Sequence, residues 1–222
     1  MVDLLPLYLS LKLAAVSTAV LMVVAAPISY ALVFHRIPGK SFLEALINLP
    51  IVLPPTVLGF YLLVALGPRG SFGRAWESVF GSPLLFTFTG IVVASLVYSL
   101  PFAVAPMKTA FCRIDRRLVE NAQILGLNPM AIFFRVILPN SLAGVAASAI
   151  LVFLHTIGEF GVILMVGGSI PGKTKVASIA IFEAVEALRY SDAWLMSLAL
   201  VPVCYVFLLL VNRLTPEAQH GT

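Results

Sequence analysis

The chain has 222 residues, of which 60% are hydrophobic and only 11% are charged, and its mean hydropathy is +1.04. Soluble domains carry about 25% charged residues, so this composition excludes a soluble globular protein and indicates an integral membrane protein. The net charge is +4. Its basic residues lie between apolar segments, which favours a role in orienting the chain in a bilayer over nucleic-acid binding.

Five charge-free segments are long enough to cross a bilayer, since a spanning helix needs about 20 apolar residues. They cover residues 13–34, 45–68, 78–107, 136–158 and 193–212. We therefore predict an all-α integral membrane fold with five transmembrane helices. Residues 1–222 show no internal repeat and no soluble segment, and they are expected to form a single transmembrane domain.

The distribution of Lys and Arg predicts the orientation of the chain. With five spans, the first and third connections share a face with the C-terminus, and together they carry more basic residues than the opposite face. Basic connections stay in the cytoplasm. We predict that the third connection is cytoplasmic, with the N-terminus outside and the C-terminus inside.

Along the chain, prolines dominate the second segment. Pro50, Pro54 and Pro55 fall within one span, where prolines are tolerated if neighbouring groups satisfy the freed carbonyls. They indicate either a packing kink or an element of a pore. Thr56 is the hydroxyl beside them and could bond to backbone or to a passing anion.

The connection between the third and fourth segments has the pattern of two short helices. Residues 116–125, RRLVENAQIL, are strong helix formers with Leu118, Ala122 and Leu125 on one face. Gly126 follows where that helix should end, as a left-handed cap residue. A helix–turn–helix in a connection that could be a plain loop predicts a specific role.

A second short helix is predicted after this glycine. Asn128 is a suitable N-cap, and Pro129 stands at the first helical position, where its missing N–H is not needed. The helix should run toward Pro139, which can open the fourth span. Large apolar side chains crowd this helix, which favours docking onto a soluble partner over the alternative of a helix lying on lipid headgroups. They are Met130, Ile132, Phe133 and Phe134.

This connection resembles the EAA loop of permease subunits of ATP-binding cassette importers. Glu120, Ala122 and Gly126 match the family pattern, and the closing VILP (136–139) stands for its I-x-L-P, while Asn121 replaces the first alanine. The resemblance implies that the second helix is a coupling helix, seated in a cleft of a cytosolic ATP-hydrolysing subunit. It implies a coupling set of Glu120, Ala122, Gly126, Leu127, Asn128, Pro129, Met130, Phe133, Phe134 and Arg135.

The fourth segment continues into the sequence HTIGEFG, which contains an ionisable group near membrane depth. Glu159 is expected to be functional or paired, and His155, one turn earlier, is the expected partner. A continuous helix over residues 139–168 would measure about 45 Å, longer than the ~30 Å hydrocarbon core. Gly158 and Gly161 predict a break there. The carboxylate either clamps this break or acts in transport.

The stretches LPxxLPPTVLG, GEFG and IPGKT with IAIF resemble the permease of molybdate/tungstate importers. The sulfate/thiosulfate permease is the nearest alternative, typically without the IPGxT segment. This resemblance implies ATP-driven import of a tetrahedral oxyanion through a homodimer in a prokaryotic cell membrane, with cytosolic ATP-binding cassette subunits and an extracytoplasmic oxyanion-binding protein. The predicted translocation path or gate contains Pro54, Pro55, Thr56, Gly59, Gly158, Glu159, Phe160 and Gly161.

No catalytic residue, metal site or bound cofactor is expected in this chain, because ATP and Mg²⁺ would bind to the partner ATPase. Residues 167–174, GGSIPGKT, satisfy the bare phosphate-binding pattern G-x-x-x-x-G-K-[ST]. We reject that match because no buried strand precedes it and the predicted topology places it outside. The competing hypotheses are a membrane enzyme and a proton-coupled transporter, each using His155 and Glu159. The enzyme would lack other polar residues to bind a substrate, and the proton-coupled transporter would leave the helix–turn–helix unexplained.

The predicted outer segment, residues 171–192, has an amphipathic pattern. Ile179, Phe182, Val185 and Leu188 recur at three-residue steps and predict one apolar helix face. The segment is interpreted either as a docking surface for the binding protein or as a helix at the level of the lipid headgroups.

Overall fold

The computed structural model describes residues 3–214, and within that range the chain is helical with no β-strand. The predicted all-α fold is confirmed. A π-helix, Phe133–Ile137, lies between α7 and α8. The helices are α1 (Leu5–Phe34), α2 (Lys40–Val52), α3 (Pro55–Leu66), α4 (Ser71–Phe80), α5 (Phe88–Cys112), α6 (Arg116–Ile124), α7 (Pro129–Ile132), α8 (Leu138–Asn140), α9 (Leu142–Gly158), α10 (Gly161–Gly167), α11 (Ala177–Glu186) and α12 (Tyr190–Leu214).

Three helices are each long and apolar enough to cross a membrane, namely α1, α5 and α12. Two further candidates are bent pairs. Helices α2 and α3 meet at 111°, and the helical stretch Pro129–Asn140 meets α9 at 79°. The predicted number of five spans is reached when each bent pair counts as one span.

The bend between α2 and α3 follows from consecutive prolines. Leu53 and Pro54 each precede a proline, and both are extended, with ψ of 136° and 135°. A residue before proline is pushed out of the helical region because the proline ring crowds its backbone. Pro55 then begins α3, whereas Pro50 stays inside α2. The proline pair therefore breaks this segment.

The bend before α9 lies at Ser141, so the fourth span begins after Pro139, the residue that was expected to open it. Pro139 lies in α8, directly after the π-helix and within the helical stretch Pro129–Asn140. Ser141 leaves the helical region, with ψ of 8°, and its hydroxyl donates to the Ile137 carbonyl at 2.7 Å. The chain changes direction there.

Helices α1, α5 and α9 form the main packed unit. Buried serines help α9 and α1 to approach α5: Ser148 donates to the Ala103 carbonyl at 2.9 Å and Ser29 to the Val104 carbonyl at 3.3 Å. Small residues and interhelical hydrogen bonds hold helices together in lipid, where apolar surface alone gives no advantage.

Three of the four residues on the predicted apolar face of residues 171–192 lie on the surface, which is compatible with both interpretations of this segment. Of the four residues that define it, only Ile179 is buried, and Phe182, Val185 and Leu188 are exposed. Helix α11 packs mainly on α12 and also contacts α1. Small alanine side chains let α11 approach these helices closely. The pattern of large apolar residues at three-residue steps did not predict that alanines would form the buried face. The buried alanines are Ala177, Ala180 and Ala184.

A glycine-to-alanine pair on α9 tests the close α5–α9 packing. A Cβ on Gly144 would lie 2.2 Å from the Cβ of Ala110, so Gly144→Ala must push the two helices apart. We expect the free energy of unfolding to fall by about 1–3 kcal/mol, measured by reversible unfolding in SDS–detergent mixtures. Gly158→Ala is the matched control, because nothing lies within 4 Å of its added Cβ. Equal losses in both variants would contradict this packing.

Candidate functional site

The turn between α6 and α7 forms as its sequence predicts. Gly126 has φ of +77°, and its N–H donates to the Gln123 carbonyl at 2.9 Å. The Leu127 N–H donates to the Ala122 carbonyl at 3.1 Å. The Asn128 side chain caps α7 by accepting from the Ala131 N–H at 2.7 Å. Nothing lies within 4 Å of a Cβ on Gly126, so glycine is needed there for its backbone conformation alone.

The predicted face of α6 needs correction. Val119 and Ala122 are buried, whereas Leu118 and Leu125 are 45% and 78% exposed. Asp115 caps the N-terminus of α6, where its side chain accepts from the Arg117 N–H. In so short a helix two apolar stripes compete, and packing against the buried core of α1, α5 and Ile132 selects the one through Val119.

The coupling set predicted from the sequence divides into an anchored part and an exposed part. Phe133 is half-buried and meets Tyr30 and Phe111 edge-on, with ring centroids 5.9 and 6.2 Å apart. Ala122 is buried and Leu127 half-buried. The exposed members are Glu120, Gly126, Asn128, Pro129, Met130, Phe134 and Arg135.

Two exposed apolar residues next to this set were missed. Ile124 is 83% exposed and Leu125 78% exposed at the end of α6, while Met130 and Phe134 are 67% and 56% exposed. Exposed apolar side chains concentrated on one connection are typical of an interaction surface. The signal was the adjacent apolar pair directly before the helix-ending glycine. We call Ile124, Leu125, Met130 and Phe134 the joint surface.

The Glu159 carboxylate is buried, and two serines of α5 hold it. Its Oε1 accepts from Ser99 Oγ at 2.7 Å, and its Oε2 accepts from Ser95 Oγ. His155 Nδ1 lies 3.5 Å from Oε1. The predicted His155 partner is confirmed, while the serines were not foreseen because nothing in the sequence aligns α5 with this break.

Ser99 links the carboxylate to two further side chains. Its Oγ lies 2.9 Å from His155 Nδ1 and 3.1 Å from Thr156 Oγ1. The His155 ring stacks on Phe102, with centroids 4.0 Å apart, and meets Tyr98 edge-on at 4.6 Å. These ring contacts and the contact with Ser99 hold the imidazole in place beside the carboxylate.

The same carboxylate residue also secures the backbone break. Helix α9 ends at Gly158, α10 begins at Gly161, and the Glu159 carbonyl accepts from Ser178 Oγ of α11 at 2.5 Å. Non-helical backbone inside a membrane protein is stable only where protein groups pair with it. Through its side chain and its carbonyl, Glu159 joins α5 and α11 to the break.

The predicted path residues come together in part. A Cβ on Gly161 would lie 3.1 Å from Pro55 Cβ, and one on Gly59 would lie 2.9 Å from Met165 Cβ, so α3 and α10 pack closely. Thr56 is exposed. Pro54 and Gly158 are also exposed and Phe160 is half-buried. The Glu159 side chain contacts Ser95 and Ser99 of α5.

Residues 167–174 form a closed turn instead of a phosphate cradle. The preceding element is the helix α10, not a strand. Thr174 is fully buried, donates to the Gly167 carbonyl at 2.7 Å and accepts from the Ile170 N–H at 3.2 Å. Its hydroxyl is therefore already occupied, which supports rejection of the motif.

An ion pair fastens this turn to α11. Glu183 accepts from Ser169 and Lys175. Burial acts to raise the pKa of Glu183, but the hydrogen bonds from Lys175 and Ser169 and the charges of Lys175 and Arg189 outweigh it and leave that pKa below its usual value. Within residues 3–214, no group of three His, Cys, Asp or Glu side chains could hold a metal ion.

Comparison with known protein families identifies the class. A family model described as the inner membrane component of binding-protein-dependent transport systems matches residues 13–219. The chain belongs to this family. It is a multi-pass membrane protein of the prokaryotic inner membrane, and the predicted likeness to the permeases of binding-protein-dependent importers is confirmed.

Relatives in this family cover most of the chain. The molybdenum transport system permease protein ModB of Azotobacter vinelandii is 47% identical over 87% of this chain and 86% of its own length. The protein of that name from Escherichia coli K12 is 33% identical over 80% and 78%. A probable sulfate transport system permease, cysT of Chlorokybus atmophyticus, is 32% identical over 83% of this chain and 64% of its own length.

Solved structures show the same fold. The crystal structure of a bacterial ABC transporter that imports the acidic polysaccharide alginate matches 98% of this chain and 80% of its own, with a TM-score of 0.75 and 17% identity. The alginate transporter in complex with an alginate pentasaccharide-bound periplasmic protein matches with a TM-score of 0.74, 16% identity and coverage of 97% and 79%.

Replacing Glu159 with glutamine tests its role as a clamp. The amide keeps the size of the side chain but cannot accept from both serine hydroxyls as a carboxylate does. We expect the free energy of unfolding to fall by about 1.5–3 kcal/mol, the range for hydrogen bonds to charged groups. Unfolding in SDS–detergent mixtures measures this.

The matched control is Glu186→Gln, which removes an exposed carboxylate from α11. It should leave the unfolding free energy unchanged. If Glu159→Gln were as stable as Glu186→Gln, the clamp would be refuted.

Proposed function

We propose that this chain is the translocating subunit of an ATP-driven importer of a tetrahedral oxyanion, molybdate or tungstate. The observation that carries the proposal is the 47% identity, over 87% of the chain, to a relative named for molybdenum transport. The motifs GEFG and IPGKT support it. The chain itself is no enzyme in this proposal, because ATP and Mg²⁺ bind to a partner subunit.

The joint surface fits a coupling role. Helix α7 and the turn before it carry exposed apolar side chains on one connection, with Phe133 anchoring them to α1 and α5. In the proposed assembly a cytosolic ATP-binding cassette subunit covers this surface, and its closure moves α7. The basic connection then lies in the cytoplasm, with the N-terminus outside and the C-terminus inside.

The path is proposed to lie between two copies of the chain. Helices α2 and α3 leave large apolar side chains exposed, among them Phe42, Phe60 and Tyr61, and a second copy can cover them. The exposed Thr56 hydroxyl near the α2–α3 bend offers a weak hydrogen bond to an anion. Weak binding suits a transit path, because a tight site would retain the ion.

An external oxyanion-binding protein is proposed to select the ion. A structural neighbour was solved with a periplasmic protein bound, which supports such a partner. The exposed side chains Phe182, Val185 and Leu188 around α11 are candidates for its docking.

Sulfate is the second candidate cargo, because relatives named as probable sulfate permeases match at similar identity to several molybdenum permeases. Proton-coupled transport and enzyme catalysis through His155 and Glu159 are disfavoured. The Glu159 side chain is fully buried and serves the serines of α5.

ATP hydrolysis by the reconstituted assembly tests the cargo. The chain would be purified with its ATPase, combined with the binding protein and titrated with molybdate, tungstate and sulfate. Stimulation at far lower molybdate and tungstate than sulfate concentrations is expected. Stimulation by sulfate alone would assign sulfate import to the chain. Absence of any co-purifying ATPase would refute the proposal that the chain belongs to an ATP-driven importer.

Replacing Glu120 with alanine tests the proposed coupling of the joint surface to the ATPase. Glu120 is exposed on α6 beside the joint surface, so its loss should leave the fold intact and weaken contact with the ATPase. Substrate-stimulated ATP hydrolysis should fall about tenfold, which corresponds to about 1.4 kcal/mol of coupling.

Glu77→Ala, which removes an exposed carboxylate from α4, is the matched control and should retain stimulation. Normal stimulation in Glu120→Ala would count against the joint.

A further inference from the structure

Two cavities adjoin at the C-terminal end of α1. One is an apolar groove of about 590 Å³ between α1, α5 and the stretch Pro129–Asn140. The other, of about 670 Å³, is lined by the end of α1, the connection to α2, the start of α2 and one side of α6. Tyr30 and Pro129 line both cavities, so an elongated ligand could occupy the two together.

The groove has the character of lipid-facing surface. Met22, Val23 and Ala26 line it from α1, and its other walls are also apolar. Helix α1 has 30 residues and so measures about 45 Å, which exceeds a ~30 Å hydrocarbon core and brings its end to the headgroups. The groove therefore runs from hydrocarbon depth toward the headgroup level.

The second cavity is cationic. It is lined by Arg36 of the α1–α2 connection, Lys40 of α2 and Arg116 of α6. Among the described residues that line it, Glu120 has the one carboxylate. Across residues 3–214 the side chains of Arg36 and Arg116 make no hydrogen bond or ion pair.

The third cation is only loosely held. Lys40 is 3.9 Å from Glu44, and Lys108 binds that carboxylate more closely, at 2.7 Å. The cavity therefore carries an excess of unneutralised positive charge.

We propose that the two cavities bind one anionic phospholipid, with its phosphate among Arg36, Lys40 and Arg116 and an acyl chain in the groove. A guanidinium group can donate two parallel hydrogen bonds to the oxygens of one phosphate. Basic pockets between spanning helices bind anionic lipid headgroups. A free oxyanion would fill the cationic cavity alone. A phospholipid is the occupant that uses the charge and the groove together.

The site has a consequence for coupling. Met130, Phe133 and Phe134 form a wall of the groove, and Met130 and Phe134 belong to the joint surface. A bound acyl chain would support α7 against α1. The lipid would then act on the same helix that the proposed ATPase moves.

Native mass spectrometry of the purified assembly, titrated with phosphatidylglycerol and with phosphatidylcholine, tests the site. The unmodified protein should bind phosphatidylglycerol more tightly. Arg36→Gln with Arg116→Gln should weaken phosphatidylglycerol binding about fivefold for each charge removed and leave phosphatidylcholine binding unchanged. Arg69→Gln with Arg74→Gln is the matched control, since both arginines are exposed and line neither cavity. If both double variants weakened phosphatidylglycerol binding equally, the effect would come from surface charge in general, and the proposed site would be overturned.

A second variant tests the groove without changing charge. Val23 lines the groove and is 75% exposed, so Val23→Trp should fill it and lower phosphatidylglycerol binding while the fold stays intact. Unchanged binding in this variant, together with displacement of the lipid by inorganic phosphate, would assign the cavity to a free anion instead. Loss of the ATPase subunit from the arginine variant, with lipid binding retained, would assign the arginines to the subunit interface. Either result overturns the lipid site.

Discussion

The need to pair every polar group inside a membrane constrains this structure most strongly at the break between α9 and α10. Glu159 meets that need twice, because its carboxylate accepts from Ser95 and Ser99 of α5 and its carbonyl accepts from Ser178 of α11. Non-helical backbone in hydrocarbon without such partners would be strongly unfavourable. The position of α10, and with it the turn up to Thr174, depends on this one residue.

The two broken segments support each other. The α2–α3 bend arises from the residues that precede prolines, and the α9–α10 break arises beside glycines, yet α3 and α10 pack closely because Gly59 and Gly161 leave room. Helix α9 runs from the bend at Ser141 to the break at Glu159. With 17 residues it measures about 25 Å, and it connects the helical stretch Pro129–Asn140, which includes α7, to this break.

Caps, turns and helix breaks were predictable from the sequence, whereas the faces that short helices bury were not. The left-handed Gly126, the Asn128 cap and the break beside Gly158 each depend on one or two neighbouring residues. The buried faces of α6 and α11 depend on which helices lie beside them, and packing selected Val119 over Leu118 and alanines over Phe182. The coupling set predicted from the sequence was incomplete for the same reason, since Ile124 was assigned no role.

By itself the sequence determined that the chain is helical and membrane-embedded, that its path breaks beside Gly158, and which loop forms a capped helix–turn–helix. Composition, proline and glycine act locally, so these properties need no knowledge of distant residues. Only the tertiary structure decided that Ser95 and Ser99 hold Glu159, that the bend falls at Ser141, and that Arg36 and Arg116 share a cavity. Each joins residues far apart in the chain, and helix packing alone brings such residues together.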